Sequence, residues 1–121
     1  MDNPKSKGYR DLILWQKSIL LVKKAYTVTE LFPQSEIYGL TSQMRRAAVS
    51  IPSNIAEGQR RSGKKEFKRF LEITDGSCAE LETQSIVAME IGYLSDIDLD
   101  DILDKIHEIQ RMVFSLKKTL T

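Results

Sequence analysis

The sequence predicts an all-α fold, an antiparallel up-down-up-down four-helix bundle. Three observations lead there. Four segments carry apolar residues at alternating steps of three and four, which is the repeat of one helical face. Breakers stand between them: Pro33, then Gly58 and Gly63, then Gly92. No stretch alternates apolar and polar residues for the length of a strand. Short connections between long helices put neighbours side by side in reversed directions. A chain of 121 residues can bury a real core as one domain.

Residues 1–10 read as a flexible N-terminal arm, broken by Asn3-Pro4 and Gly8. Residues 11–121 read as the bundle. Asp11 is the expected cap of the first helix, which should reach about Leu31 and close at Phe32-Pro33. Its main stripe is Leu12, Trp15, Ile19, Val22, Tyr26 and Thr29. A second stripe, Leu14, Leu21 and Val28, recurs every seven residues with Ile13 and Leu20 beside it. A helix of a solitary bundle needs one apolar face. The second stripe therefore either widens the contact inside the chain or forms a subunit interface, and Leu14, Leu21 and Val28 are the candidates for that interface.

The second helix should start at Ser35 as cap, with Glu36 near its positive end, and stop at Gly58. Leu40, Met44, Ala47, Ala48, Ile51 and Ile55 form its apolar face. Pro52 lies inside it, removes one amide donor and crowds the Ala48 carbonyl, so a kink is predicted there. Ser50, Ser53, Asn54 and Glu57 make a polar cluster around Pro52. They could bond the freed backbone groups, or meet a polar group at a subunit junction or on an RNA 2′-hydroxyl.

Ser62 should cap the third helix with help from Glu66. Its seam reads Phe67, Phe70, Leu71, Thr74, Cys78, Leu81, Ser85, Ala88, Met89 and Gly92. An interior glycine such as Gly76 costs about 1 kcal/mol relative to alanine, and small residues here are expected to let helices approach closely. The fourth helix should begin at Ser95 or Asp96. Asp96, Asp98, Asp100 and Asp101 crowd its positive end, and Lys117 and Lys118 its negative end. Leu99, Ile102, Leu103, Ile106, Ile109, Val113, Leu116 and Leu120 form its seam.

A net charge of +1 excludes a global polycation, so any nucleic-acid surface must come from local clustering. One cysteine, Cys78, excludes an internal disulfide and fits a reducing compartment. The apolar runs are too short for a membrane span, and the polar start does not read as a signal peptide. The expectation is a cytoplasmic protein with no membrane partner.

Residues 58–65 nearly spell a phosphate-binding P-loop. However, Lys65 stands where Ser or Thr must hold magnesium, and a helix rather than a strand precedes. Asp104 and His107 resemble half of a carboxylate–histidine metal site in a bundle, but His107 is the only histidine. The expectation is therefore no metal, no cofactor and no enzymatic activity. Glu57, Glu80 and Glu82 are the carboxylates to watch in an enzyme reading.

The basic cluster is the patch with functional character. Arg60, Arg61, Lys64, Lys65, Lys68 and Arg69 place six cations within ten residues, with Glu66 among them. The pairs Lys64/Lys68 and Lys65/Arg69 stack like charges one turn apart, at a cost of a few tenths of a kcal/mol each. Arg45 and Arg46 add two more on the second helix. Either the acidic fourth helix or a neighbouring subunit neutralises them, or they face a phosphate backbone. With Phe67 and Phe70 claimed by the seam, base stacking is not suggested and binding should be weakly sequence-selective.

Several blocks together resemble a known family: Asp11-Leu12 through Lys17, IYGLTSQMRRA at 37–47, SIPSNIAEG at 50–58, Glu66-Phe67 through Leu71, and ELETQ at 80–84. Over residues 11–118 the chain resembles the four-helix-bundle 23S rRNA intervening-sequence proteins. The resemblance implies a bacterial protein, a homopentameric ring of bundles and no established catalytic activity. That family is similar in turn to the accessory variability protein of diversity-generating retroelements, whose basic surface binds nucleic acid and a reverse transcriptase. By that analogy Arg45, Arg46, Arg60, Arg61, Lys64 and Lys65 become binding candidates. The overall expectation is a homo-oligomer that binds RNA or DNA backbone through the basic cluster. The alternative is a scaffold whose cluster docks an acidic protein partner.

Overall fold

The computed structural model describes residues 7–120. It has four α-helices: α1 (Ile13–Thr29), α2 (Leu40–Arg60), α3 (Lys64–Glu90) and α4 (Asp96–Lys118). Two single-turn 3-10 helices, Gly8–Asp11 and Gln34–Glu36, precede α1 and α2. No strand occurs among the described residues. Each α-helix packs against its sequence neighbours, and α4 returns to α1, while α1 and α3 do not approach each other and neither do α2 and α4. The four axes thus stand at the corners of a square around one core. Lys17 pairs with Glu108, whereas Lys24 pairs with Asp98 and Asp101, so contacts along α1 and α4 run in opposite order. No described helix is long and apolar enough to cross a membrane.

Residues 1–6 of the expected arm lie outside the described residues. The rest of that arm is built into the fold. Tyr9 tilts against Trp15 with ring centroids 5.5 Å apart, and Gln16 Nε2 donates to the Arg10 carbonyl at 2.9 Å. Asp11 does not cap α1, because its carboxylate is turned back to accept from the Lys7 amide at 2.9 Å. Leu12, in extended backbone, holds the cap position without a side-chain bond.

The second stripe of α1 forms the centre of the seam, while Leu12, Trp15 and Val22 of the main stripe pack at its margin and Thr29 is buried. Leu14, Leu21 and Val28 are buried in the chain's own core, so they are not a subunit interface. Ser18 and Ala25 complete their seam, giving steps of four and three. These two small residues concealed it. Ser18 is tolerated there because its hydroxyl donates to the Trp15 carbonyl at 2.6 Å. Trp15, Ile19 and Val22 are only half-buried, and Ile13, Leu20 and Tyr26 face solvent.

The cap of α2 also moves. Ser35 falls in the 3-10 turn, and Gly39 takes the cap position. The Glu36 carboxylate supplies what Gly39 lacks, accepting from the Leu40 amide at 3.0 Å on one oxygen and from the Tyr93 hydroxyl at 3.2 Å on the other. It satisfies a free amide at the positive helix end and ties the α1–α2 and α3–α4 connections together. α2 runs as a single α-helix with Pro52 buried inside it.

Gly58 does not stop α2, which continues to Arg60. A Cβ on Gly58 would sit 2.6 Å from Phe70 Cβ, so the absence of a side chain is what lets α3 close against α2. Gly76, by contrast, has open space around it and is not a packing residue. The turn between α2 and α3 spans residues 61–63 and passes through Gly63 at φ 94°, in the left-handed region that glycine tolerates. Gly63 rather than Ser62 therefore caps α3. At the other end, Gly92 at φ 90° closes α3 in a Schellman motif, with Tyr93 N–H on the Ala88 carbonyl and Gly92 N–H on that of Met89. Ser95 caps α4 as expected, accepting from the Asp98 amide at 3.1 Å.

Two tests follow from this packing. Gly58→Ala is expected to destabilise the protein by about 1–3 kcal/mol through overpacking against Phe70, while Gly76→Ala should stabilise it by about 0.5–1 kcal/mol. Urea unfolding of both variants checks the pair. Hydrogen bonds from Lys105 and then Lys24 hold the Asp101 carboxyl below its ordinary 3.8, and the Asp98 hydrogen bond is the main cause that raises Lys24 above its ordinary 10.5. The lowered carboxyl contributes above 3.8 and is lost as pH falls through its folded value. The raised ammonium contributes below 10.5 and is lost as pH rises through its own. The difference in unfolding midpoint between wild type and Lys24→Met should therefore be greatest between these limits and shrink outside them.

Candidate nucleic-acid interface

The basic run forms the corner where α2 gives way to α3. Phe70 is buried because Gly58 leaves room for it. Its ring then carries two guanidinium groups, Arg61 at 5.3 Å and Arg69 at 4.7 Å from the centroid. Each of these arginines also has a carboxylate: Arg61 meets Glu57 at 2.8 Å and Arg69 meets Glu66 at 3.0 Å. Arg60, Lys64 and Lys65 are exposed and Lys68 is half-buried. None of these four has a carboxylate within ion-pair distance among the described residues. The first turn of α3 lacks a side-chain cap, so its free amides add positive potential to the same corner.

The acidic fourth helix does not neutralise this corner. Asp98 and Asp101 take Lys24, Asp101 also takes Lys105, and Glu108 takes Lys17. The α4 carboxylates that form ion pairs, Asp98, Asp101 and Glu108, thus serve α1 and α4 itself.

Arg45 and Arg46 do not join the corner. They lie fifteen and fourteen positions before Arg60 on one helix, about 21–22 Å away at about 1.5 Å per residue. Arg45 has a structural job. Its Nε donates to Thr29 Oγ1 at 2.8 Å, its guanidinium lies 4.5 Å from the Tyr26 ring centroid, and Nη2 is 3.7 Å from Glu30. Arg46 is exposed and lines an open groove of about 560 Å³ with Tyr26, Ile37, Thr41 and Val49.

The polar residues around Pro52 divide as well. Ser50 donates to the Ala47 carbonyl, Ser53 to that of Val49 and Asn54 to that of Ser50, at 2.7–2.8 Å. These acceptors flank Ala48, whose carbonyl loses its amide partner to the proline. Ser50 also meets Ser77 of α3 at 2.7 Å, which links the two helices. Glu57 stands apart from this group, exposed and engaged with Arg61.

The groups available for nucleophilic chemistry are poorly placed for it. Burial, with the charges of Asp75 and Glu82, pushes the Cys78 thiol up to about 12. His107 Nε2 lies 2.9 Å from Glu82 on the side of the bundle between α3 and α4. No group of three or more His, Cys, Asp or Glu among the described residues could hold a metal ion.

The model of the 23S rRNA-intervening sequence protein family matches residues 10–115. This chain belongs to that family. The fold is shared by the crystal structure of a protein of unknown function from the S23 ribosomal protein family of Bacteroides thetaiotaomicron, with a TM-score of 0.81 and 20% identity over 88% of this chain and 99% of that one. No curated protein is similar enough to add a relative.

Sequence reasoning missed two features of these surfaces. The repeat places Phe70 in the seam, and only the fold makes it the platform for Arg61 and Arg69 as well. The groove beside Arg46 joins residues of α1, the α1–α2 connection and α2, so no local signal reveals it. Arg45 and Arg60 should separate structural from solvent-facing cations. Arg45→Ala is expected to cost about 1–2 kcal/mol for its hydrogen bond and ring contact, and Arg60→Ala to stay within about 0.5 kcal/mol. Thermal unfolding of the two variants measures this.

Proposed function

We propose that this family member is a non-enzymatic homo-oligomer that binds the phosphate backbone of RNA or DNA through the α2–α3 corner. The observation that carries this reading is the set Arg60, Lys64, Lys65 and Lys68. Four cations stand together at a helix start with no carboxylate within ion-pair distance among the described residues, while the nearby Glu57 and Glu66 are taken by Arg61 and Arg69. Holding like charges together costs free energy in the isolated chain, and a polyanion would reverse the sign of that cost. Arg61 and Arg69, held over the Phe70 ring and each paired with a carboxylate, mark the edge of the surface. The family resemblance implies a homopentameric ring and a bacterial source, and the single cysteine fits a reducing compartment. Several copies would present several corners to one strand and gain avidity from it.

The oligomer reading has its own support. Ile13 and Leu20 are 58% and 51% exposed on α1, and Ile37, Ile97 and Phe114 add exposed apolar area elsewhere. Binding without base stacking should be weakly selective for sequence and steep in salt.

A salt titration of binding to single-stranded RNA and duplex DNA tests the corner. Changing Arg60, Lys64, Lys65 and Lys68 to alanine should weaken binding and lower the slope of log K against log salt by roughly 3 to 4 for each engaged corner. Unchanged affinity and slope would remove the proposal. Capture of an acidic protein that persists after nuclease treatment, with no affinity for nucleic acid, would favour the scaffold reading instead.

A further inference from the structure

Two unpartnered surfaces of this chain complement each other and lie on opposite corners of the square. One is the groove beside α2. Tyr26, Ile37 and Val49 are 41%, 45% and 40% exposed along it, and Arg46 stands at its edge without a carboxylate partner among the described residues. The other is the outer face of α4 near its start. Ile97 is 82% exposed. Asp100 and Asp104 follow it at steps of three and four, on the same helical face. Both are exposed, and the ion pairs of α4 go to Asp98, Asp101 and Glu108 instead. One surface therefore offers an apolar recess with a spare cation. The other offers an apolar projection with spare carboxylates.

We infer that the groove of one copy receives the Ile97–Asp100–Asp104 face of α4 from a second copy, with Arg46 paired to Asp100 or Asp104. This inference rests on the homo-oligomer reading and assigns its contact surface. The geometry constrains the symmetry. α2 and α4 touch α1 and α3 but not each other, so the two surfaces look outward on opposite sides. A patch that binds a different patch on the far side of its twin makes a head-to-tail contact, and such contacts close into rings or run on as filaments. The apolar part supplies the attraction, and the charges set orientation and reject a groove-to-groove approach, which would bring two copies of Arg46 together.

Light scattering on the full chain tests this with four proteins: wild type, Arg46→Glu, Asp100→Lys with Asp104→Lys, and all three changes combined. Wild type should assemble. Each of the first two variants should need at least a tenfold higher concentration to do so, and the combined variant should return towards wild-type behaviour because both signs are reversed. Far-ultraviolet dichroism should show all four equally helical, since none of the three side chains has an ion-pair partner to lose among the described residues. A wild-type assembly that the charge reversals leave unchanged, or that the combined variant fails to restore, overturns the assigned contact while leaving the oligomer reading intact. A monomeric wild type overturns both. Loss of nucleic-acid binding by Arg46→Glu without any change in mass would place the groove on the polyanion surface and also overturn the contact.

Discussion

The contact between Gly58 and Phe70 is the constraint from which the basic α2–α3 corner is built. With no Cβ at Gly58, the Phe70 ring can sit against the α2 backbone. That approach brings the last turn of α2 beside the first turns of α3 and leaves room for only a tight turn through Gly63. The cations at 60–69 are then folded from a linear run into a corner. Phe70, held in place, presents its ring to Arg61 and Arg69. An alanine at 58 would push on the backbone contact, and the arrangement of charges above it would shift too.

Charge follows the same division of labour. Acidic and basic residues nearly balance over the chain, yet the balance is not local. α4 gives its inward-leaning carboxylates to lysines of α1 and to Lys105, so those pairs brace the bundle. Exposed pairs of this kind contribute little each, and their value is in positioning. What they leave over is informative. The α2–α3 corner keeps four cations, α2 keeps Arg46, and the outer face of α4 keeps Asp100 and Asp104. These charges of opposite sign stand on separate faces, the cations at the α2–α3 corner and on α2 and the carboxylates on α4.

The interior shows how hydroxyl side chains can serve as small core residues. Ser18, Thr29, Thr74 and Ser85 are buried, and each donates to a carbonyl of its own helix, at Trp15, Ala25, Phe70 and Leu81 respectively. The hydroxyl is satisfied locally, so burying it costs little, and the small side chain lets a neighbouring helix come close. Such residues read as polar in a linear sequence. That is why the repeat alone leaves the Leu14–Leu21–Val28 stripe open between a wider internal contact and a subunit interface, since the seam needs Ser18 and Ala25 to be complete, and why the bulkier Trp15, Ile19 and Val22 read as the main face.

Number, length and type of the helices were set by features that act over a few residues. Apolar periodicity, the Pro33 and glycine punctuation, and the Ser95 cap are all local, so the chain alone determined four helices, their approximate ends and the family block around Pro52. The composition of the basic cluster was also legible, because six cations in ten residues need no folding to be seen. The tertiary structure decided which of two equally spaced stripes on α1 faces inward, since both satisfy the helical repeat and only packing volume distinguishes them. It decided that Gly58 packs and Gly76 does not, and that Arg45 braces α1 while Arg60 faces solvent. Each of these depends on what stands across the interface, far away in the chain, and a residue carries no mark of a neighbour it meets only after folding.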